Sequence, residues 1–72
     1  MRDIDRAVEL LKQLFNGLAE DGNKTVDIYA DVYNGESYVV VIINKAKYKI
    51  NVTAESVRQI VWSVVNSVAL KF

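Results

Sequence analysis

Residues 25–44 read TVDIYADVYNGESYVVVIIN, and the fold follows from this stretch. Its first part alternates hydrophobic and polar residues, which is the two-residue period of a β-strand. The Asn34-Gly35 pair favours a type I′ turn, because both central residues of that turn have positive φ. The stretch therefore predicts a hairpin of two antiparallel strands, 25–33 and 36–44.

A third strand is predicted over 47–52, where every second residue from Tyr48 is hydrophobic. The turn that leads into it lies at Asn44-Lys45 or at Lys45-Ala46. These two registers differ by two residues, so both leave the same side chains on the same face of the sheet. The sequence predicts a three-stranded antiparallel meander and leaves its second turn open between these alternatives.

A helix precedes the strands, from residue 3 to about residue 20. Asp3 is the expected N-cap, and Gly22 is the expected C′ residue after the last turn. Gly17 weakens the helix, which leaves an alternative end at Asn16. The hydrophobic residues recur at steps of three and four and form one stripe: Ile4, Val8, Leu11, Leu14, Phe15 and Leu18.

A second helix follows the third strand, with Thr53 as the expected N-cap and Glu55 in the first turn. Trp62 lies roughly 120° from the centre of its hydrophobic stripe, given 100° per residue, and is interpreted as the rim of the core or as an interface anchor. Valine has low helix propensity, but a strand would split the stripe between two faces. The stripe consists of Val57, Ile60, Val61, Val64, Val65 and Val68.

These elements predict an α+β fold with the order α-β-β-β-α, formed by a single domain over residues 1–72. Two helical stripes and one face of the sheet are hydrophobic and must be buried against each other. The simplest arrangement packs both helices on the same face of the meander. The other face of the sheet is then uncovered.

The composition excludes several kinds of chemistry. The chain contains no Cys, His or Pro, so a disulfide scaffold, a zinc finger, a thiol nucleophile and a Ser-His triad are ruled out. Asp27 and Asp31 share one strand face, but about 13 Å separates them, which is too far for a carboxylate pair or a shared metal ion. We expect no enzyme activity, no metal and no cofactor.

The charges balance overall but are distributed unevenly. Residues 1–36 carry a net charge of −4 and residues 37–72 a net charge of +4. A neutral chain is a poor general nucleic-acid binder. The longest hydrophobic run, 39–43, is too short to cross a membrane, and the first residues are unlike a signal peptide. We expect a soluble chain, cytoplasmic if expressed in a cell, that needs no partner and binds neither nucleic acid nor membrane.

The uncovered face of the sheet is the predicted functional surface. The middle strand is hydrophobic on both faces, although a strand with one solvated face should alternate. A homodimer that packs sheet against sheet would bring Asp27 and Asp31 near Lys47 and Lys49 of a second copy. The alternative is a solvated face built from good strand formers. The candidate interface residues are Tyr29, Tyr33, Tyr38, Val40, Ile42 and Lys49.

The order of elements and the length resemble the double-stranded RNA-binding domain over nearly the whole chain. That family grips RNA with its first helix, a Gly-Pro-x-His loop and a lysine-rich start of its second helix. Here the loop is Asn34-Gly35, and the second helix starts near Thr53 without a lysine cluster. The resemblance therefore implies the fold and not RNA binding.

Two functions fit these observations. The first is a designed or redesigned scaffold without natural biochemical activity, because the turns are minimal and each element matches its hydrophobic period. The alternative is a natural binding or homodimerisation module that uses the uncovered sheet face.

Overall fold

The computed structural model describes residues 2–72 and confirms the α+β fold in the order α-β-β-β-α. The strands form one antiparallel sheet in the order β1-β2-β3. The elements are α1 (Asp3–Asp21), β1 (Val26–Tyr33), β2 (Glu36–Ile43), β3 (Ala46–Asn51), α2 (Val57–Val68) and a short 3-10 helix (Ala69–Lys71). Both ends of each strand therefore lie within one residue of the predicted bounds.

Both strand connections are two-residue turns with the same backbone conformation. Asn34 and Gly35 have φ angles of 52° and 76°, as the first hairpin requires. The register of β2 and β3 places the second turn at Asn44-Lys45, which removes the other alternative. Asn44 and Lys45 have φ angles of 48° and 76°, so a lysine holds the left-handed conformation that glycine holds in the first turn.

The first helix begins and ends slightly differently from the prediction. Arg2, not Asp3, is the N-cap, and the Arg2 side chain forms an ion pair of 2.9 Å with Asp5. Asp3 is instead the first helical residue, where its negative charge still interacts favourably with the helix dipole.

The helix continues through Gly17 to Asp21, so the earlier end at Asn16 is wrong. Asn23, not Gly22, has the positive φ, at 56°. The amides of Asn23 and Lys24 donate to the carbonyls of Glu20 and Ala19, which is the Schellman arrangement. The C′ residue is therefore one position later than predicted, and asparagine tolerates its conformation.

The second helix begins four residues after the predicted cap. Ser56 is the N-cap, and Ser56 and Gln59 form a capping box, each side chain accepting from the backbone amide of the other. The Thr53 hydroxyl instead accepts from the Ser37 amide at 2.9 Å, which holds Thr53 beside β2. The chain then leaves the sheet through a turn in which Ala54 has a φ of 61°, so the helix cannot include Ala54, the residue directly after the predicted cap.

Both helices pack on one face of the sheet, as predicted. Two residues of the predicted α1 stripe are not in this core: Leu14 and Leu18 remain 46% and 43% exposed. Ala7 and Ala19 are buried instead, and Ala7 belongs to the core cluster. The core cluster consists of Ile4, Ala7, Val8, Leu11, Phe15, Ile28, Val39, Val41, Ile43, Val52, Ile60, Val64 and Val68.

The last residues of the chain close one end of this core. The rings of Phe15 and Phe72 lie 5.2 Å apart, and the Lys24 ammonium donates to the Lys71 carbonyl at 3.1 Å. These contacts bring the C-terminal end of α2 to the C-terminal end of α1. The two helices therefore lie side by side and run in the same direction.

We expect Lys45→Gly to raise the free energy of unfolding by about 0.5–1 kcal/mol. A left-handed residue with a β-carbon costs about 1–2 kcal/mol, and the greater freedom of glycine in the unfolded chain offsets part of that gain. Gly35→Lys is the matched control and should destabilise the fold. Urea unfolding followed by circular dichroism measures both, and a destabilised Lys45→Gly variant would contradict the turn geometry.

Candidate functional site

The open face is the side of the sheet opposite the helices, and all six predicted interface residues lie on it. Cross-strand pairing puts Tyr29, Val40 and Lys49 in one row across the three strands. The next row on the same face is Asp31, Tyr38 and Asn51. The open face consists of Asp27, Tyr29, Asp31, Tyr33, Glu36, Tyr38, Val40, Ile42, Lys47, Lys49 and Asn51.

Val40 is fully buried, although it lies outside the core beneath the helices. Its cover comes from the side chains around it: Tyr29 and Lys49 are directly opposite on the two neighbouring strands. Long side chains at such positions lie within reach of each other across a sheet. Ile42 is also partly covered. Although no other element covers this face, Val40 is therefore buried and Ile42 is only partly exposed.

Lys49 is bound within its own chain. Its ammonium nitrogen lies 4.3 Å from the ring centroid of Tyr38 and 5.8 Å from that of Tyr33. The same nitrogen lies 3.9 Å from a carboxylate oxygen of Asp31. Such a half-exposed ion pair contributes little to stability, but the ring contact adds to it. Asp31 and Lys49 thus pair within one copy, whereas the sheet-to-sheet dimer assigned them to different copies.

A second group of polar side chains on the open face centres on Glu36. One of its carboxylate oxygens accepts from the Tyr38 hydroxyl at 2.6 Å and from the Asn51 amide at 3.2 Å. The hydrogen bond to Glu36 raises the pKa of Tyr38 above its usual value, with smaller effects from desolvation and the charge of Glu36. The carboxylate stabilises the protonated phenol, so these groups hold each other in place.

Residues 2–72 contain no buried polar or charged side chain, no pocket, and no group of three side chains suited to bind a metal ion. Within the same residues, no helix has the length and hydrophobicity of a membrane span. The distinctive surface feature that remains is a set of exposed hydrophobic side chains on the helices.

The helix surface is the solvent-exposed side of α1 and α2 marked by Leu10, Leu14, Leu18 and Trp62. The three leucines follow each other at intervals of four, so they form a stripe along one side of α1. Leu10 is 49% exposed, similar to the other two, and Trp62 is 60% exposed. Trp62 is therefore too exposed to form the rim of the core, which was the first of its two interpretations.

The neighbouring helix is unusually poor in charge. Residues 59–70 contain no charged side chain, although Gln59, Trp62, Asn66 and Leu70 are exposed. Solvated helix faces usually carry charges, whereas the centres of protein interfaces lack them and are rich in aromatic residues. The absence of charge in residues 59–70 is visible in the sequence. The helix surface was nevertheless not predicted, because Leu14 and Leu18 were assigned to the core.

The resemblance to the double-stranded RNA-binding domain extends to the element order and the three-stranded antiparallel sheet. The first turn of α2 contains one basic residue, Arg58, rather than a lysine cluster. Comparisons of the chain with protein-family models, curated proteins and solved structures found no match.

We expect Glu36→Gln to lower the pKa of Tyr38, because a neutral amide replaces the charged acceptor of the Tyr38 hydrogen bond and stabilises the protonated phenol less. In the unchanged protein this interaction stabilises the fold below about pH 10, the usual tyrosine pKa, and is lost as the pH rises through the raised value. Carbon-13 NMR of the tyrosine rings against pH measures the shift. Glu55→Gln is the control, and an unchanged Tyr38 titration in Glu36→Gln would contradict the hydrogen bond.

We expect Val40→Ala to lower the free energy of unfolding by about 1–3 kcal/mol, as at a buried core position. Val32→Ala is the matched control, because Val32 lies in the same sheet but is 52% exposed. Its effect should stay within about 0.5 kcal/mol. Equal effects of the two substitutions in urea unfolding would show that the open-face side chains do not cover Val40.

Proposed function

We propose that this chain is a non-enzymatic interaction module that binds another protein through its helix surface. The stripe of Leu10, Leu14 and Leu18 carries this proposal, because three large hydrophobic side chains lie 43–49% exposed on one side of a single helix. The exposed Trp62 and the uncharged residues 59–70 extend the same character to the neighbouring helix. Aromatic residues and a shortage of charge are typical of interface centres.

The fold does not account for these leucines. Leu11 and Phe15 on the same helix are 1% and 0% exposed and already fill the core beneath α1. Full burial of a leucine contributes about 1.5–3 kcal/mol, so covering the exposed half of each side chain would contribute roughly 1 kcal/mol. Three leucines and a tryptophan together offer several kcal/mol to a partner that covers them.

The open face of the sheet offers less hydrophobic surface to a partner than the helix surface does. Val40 is covered, Lys49 is held by Tyr38 and Asp31, and the Tyr38 hydroxyl is bonded within the chain. Tyr29 and Tyr33 remain 38% and 63% exposed. Acidic side chains lie beside both, because Asp31 is between them on the same face of β1 and Glu36 is paired with Tyr33. These contacts favour the helix surface over the sheet-to-sheet interface as the binding surface, with the sheet as its rigid support.

A designed or redesigned scaffold without natural biochemical activity is the second candidate. It is favoured by the local completeness of the fold: a capping box starts α2, a Schellman arrangement ends α1, and two type I′ turns join the strands. The positive φ angles of Lys45 and Ala54 run against it, because design rules place glycine there. This candidate predicts that replacing the exposed leucines changes no interaction.

We expect Leu14→Ala to lower the free energy of unfolding by less than about 1 kcal/mol, measured at micromolar concentration. Leu11→Ala is the matched control, the same substitution one turn earlier on the buried side, and should cost about 2–5 kcal/mol. The difference would show that Leu14 is not required for folding. Equal losses in chemical denaturation would make Leu14 a folding residue and contradict the proposed function.

A further inference from the structure

The leucine stripe of α1 ends in opposite charges. Arg6 lies one turn before Leu10, and Asp21 lies one turn after Gly17 on the same side of the helix. Both side chains are exposed, and within residues 2–72 neither takes part in an ion pair. A hydrophobic stripe with a basic end and an acidic end is complementary to an identical stripe that runs in the opposite direction.

We propose that the helix surface binds a second copy of this chain through an antiparallel contact of the two α1 helices, centred on Leu14. Arg6 lies eight residues before Leu14 and Asp21 seven residues after it, about 12 Å and 10.5 Å along the axis. A two-fold axis beside Leu14 therefore brings Arg6 of each copy to Asp21 of the other. This inference rests on the proposed function of the helix surface.

The spacing along the stripe suits two helices packed along their length. Leu10, Leu14, Gly17 and Asp21 follow each other at intervals of four, three and four, as in helices that cross at roughly 20°. At that shallow angle the ends of the two helices remain near each other, so the charged pairs stay within reach. In the same arrangement Leu10 of one copy lies opposite Leu18 of the other.

Gly17 gains a role in this contact. A β-carbon at Gly17 would meet nothing within 4 Å, so the folded chain itself does not require glycine there. Glycine within a helix is less favourable than alanine. An exposed glycine in the stripe lets the second helix approach closely, which explains a residue that only weakens α1 in a single copy.

The size of the molecule determines how much of the helix surface must take part. A specific, stable interface buries about 600–1,000 Å² of each partner. The molecule measures 35 × 20 × 19 Å, so one whole side supplies on the order of 700 Å². The α1 stripe alone is too small, and α2 with Trp62 must join it, giving four helices between two sheets. The zero net charge leaves no overall repulsion between copies.

Sedimentation equilibrium tests this inference together with the fluorescence of Trp62, the only tryptophan. We expect a dimer with a dissociation constant between about 10 µM and 1 mM, in keeping with a small interface. Dimerisation should also shift the Trp62 emission to the blue. Arg6→Glu and Asp21→Arg should each raise the dissociation constant of the dimer at least about tenfold, because two attractive charge pairs become repulsive. Arg6→Glu places a negative charge near the N-terminus of α1, and Asp21→Arg places a positive charge at its C-terminus. Both charges interact favourably with the helix dipole, so the monomers should remain folded.

An equimolar mixture of the two variants is the decisive measurement. The Arg6→Glu chain has acidic side chains at both ends of its stripe, and the Asp21→Arg chain has basic side chains at both ends. Their antiparallel pairing restores two attractive contacts, so the mixture should form a heterodimer about as strong as the original dimer. Lys12→Glu is the control, because it reverses a charge on the other side of α1 and should not change dimerisation.

Two results would overturn the inference, and they differ from the failure of the proposed function. A chain that stays monomeric at 1 mM excludes the second copy as the partner. A dimer that the mixture does not restore excludes the antiparallel α1 contact. Neither result bears on the comparison of Leu14→Ala with Leu11→Ala, which tests by itself whether the helix surface is required for folding.

Discussion

The two-residue type I′ turn at Asn34-Gly35 is the constraint on which the rest of the structure depends. It fixes the pairing of β1 with β2, and a shift of one residue would move every hydrophobic side chain of a strand to the other face. Because the Asn44-Lys45 turn repeats the same geometry, all three strands present one hydrophobic face to the helices. The core, the placement of α1 and α2, and both surfaces follow from this alignment.

The open face shows how a sheet accommodates a middle strand that is hydrophobic on both sides. Val40 has neighbours on both flanking strands, so tyrosine and lysine side chains cover it without a second layer of structure. The same side chains then bond to one another through Lys49 and Glu36. The proposed binding surface therefore lies on the helices, on the other side of the sheet.

Much of the fold was predictable, and the errors have identifiable causes. Periodicity located both α-helices, all three strands and the face that each strand buries. It did not locate the caps of the helices, because Thr53 and Ser56 are both acceptable N-caps and contacts with β2 decide between them. It also assigned Leu14 and Leu18 to the core, because a stripe of leucines on a helical wheel spans more than the side that one sheet and one helix can cover.

The sequence by itself determined the order of the elements, the register of the first hairpin and the absence of cysteine and histidine chemistry, because these depend on neighbouring residues and composition. Only the tertiary structure decided that Val40 is covered and that Leu14 is exposed. Burial depends on how the layers approach each other, and α1 buries the small side chains of Ala7 and Ala19 while Leu10, Leu14 and Leu18 remain partly exposed to solvent. The surface proposed for binding is a consequence of that packing.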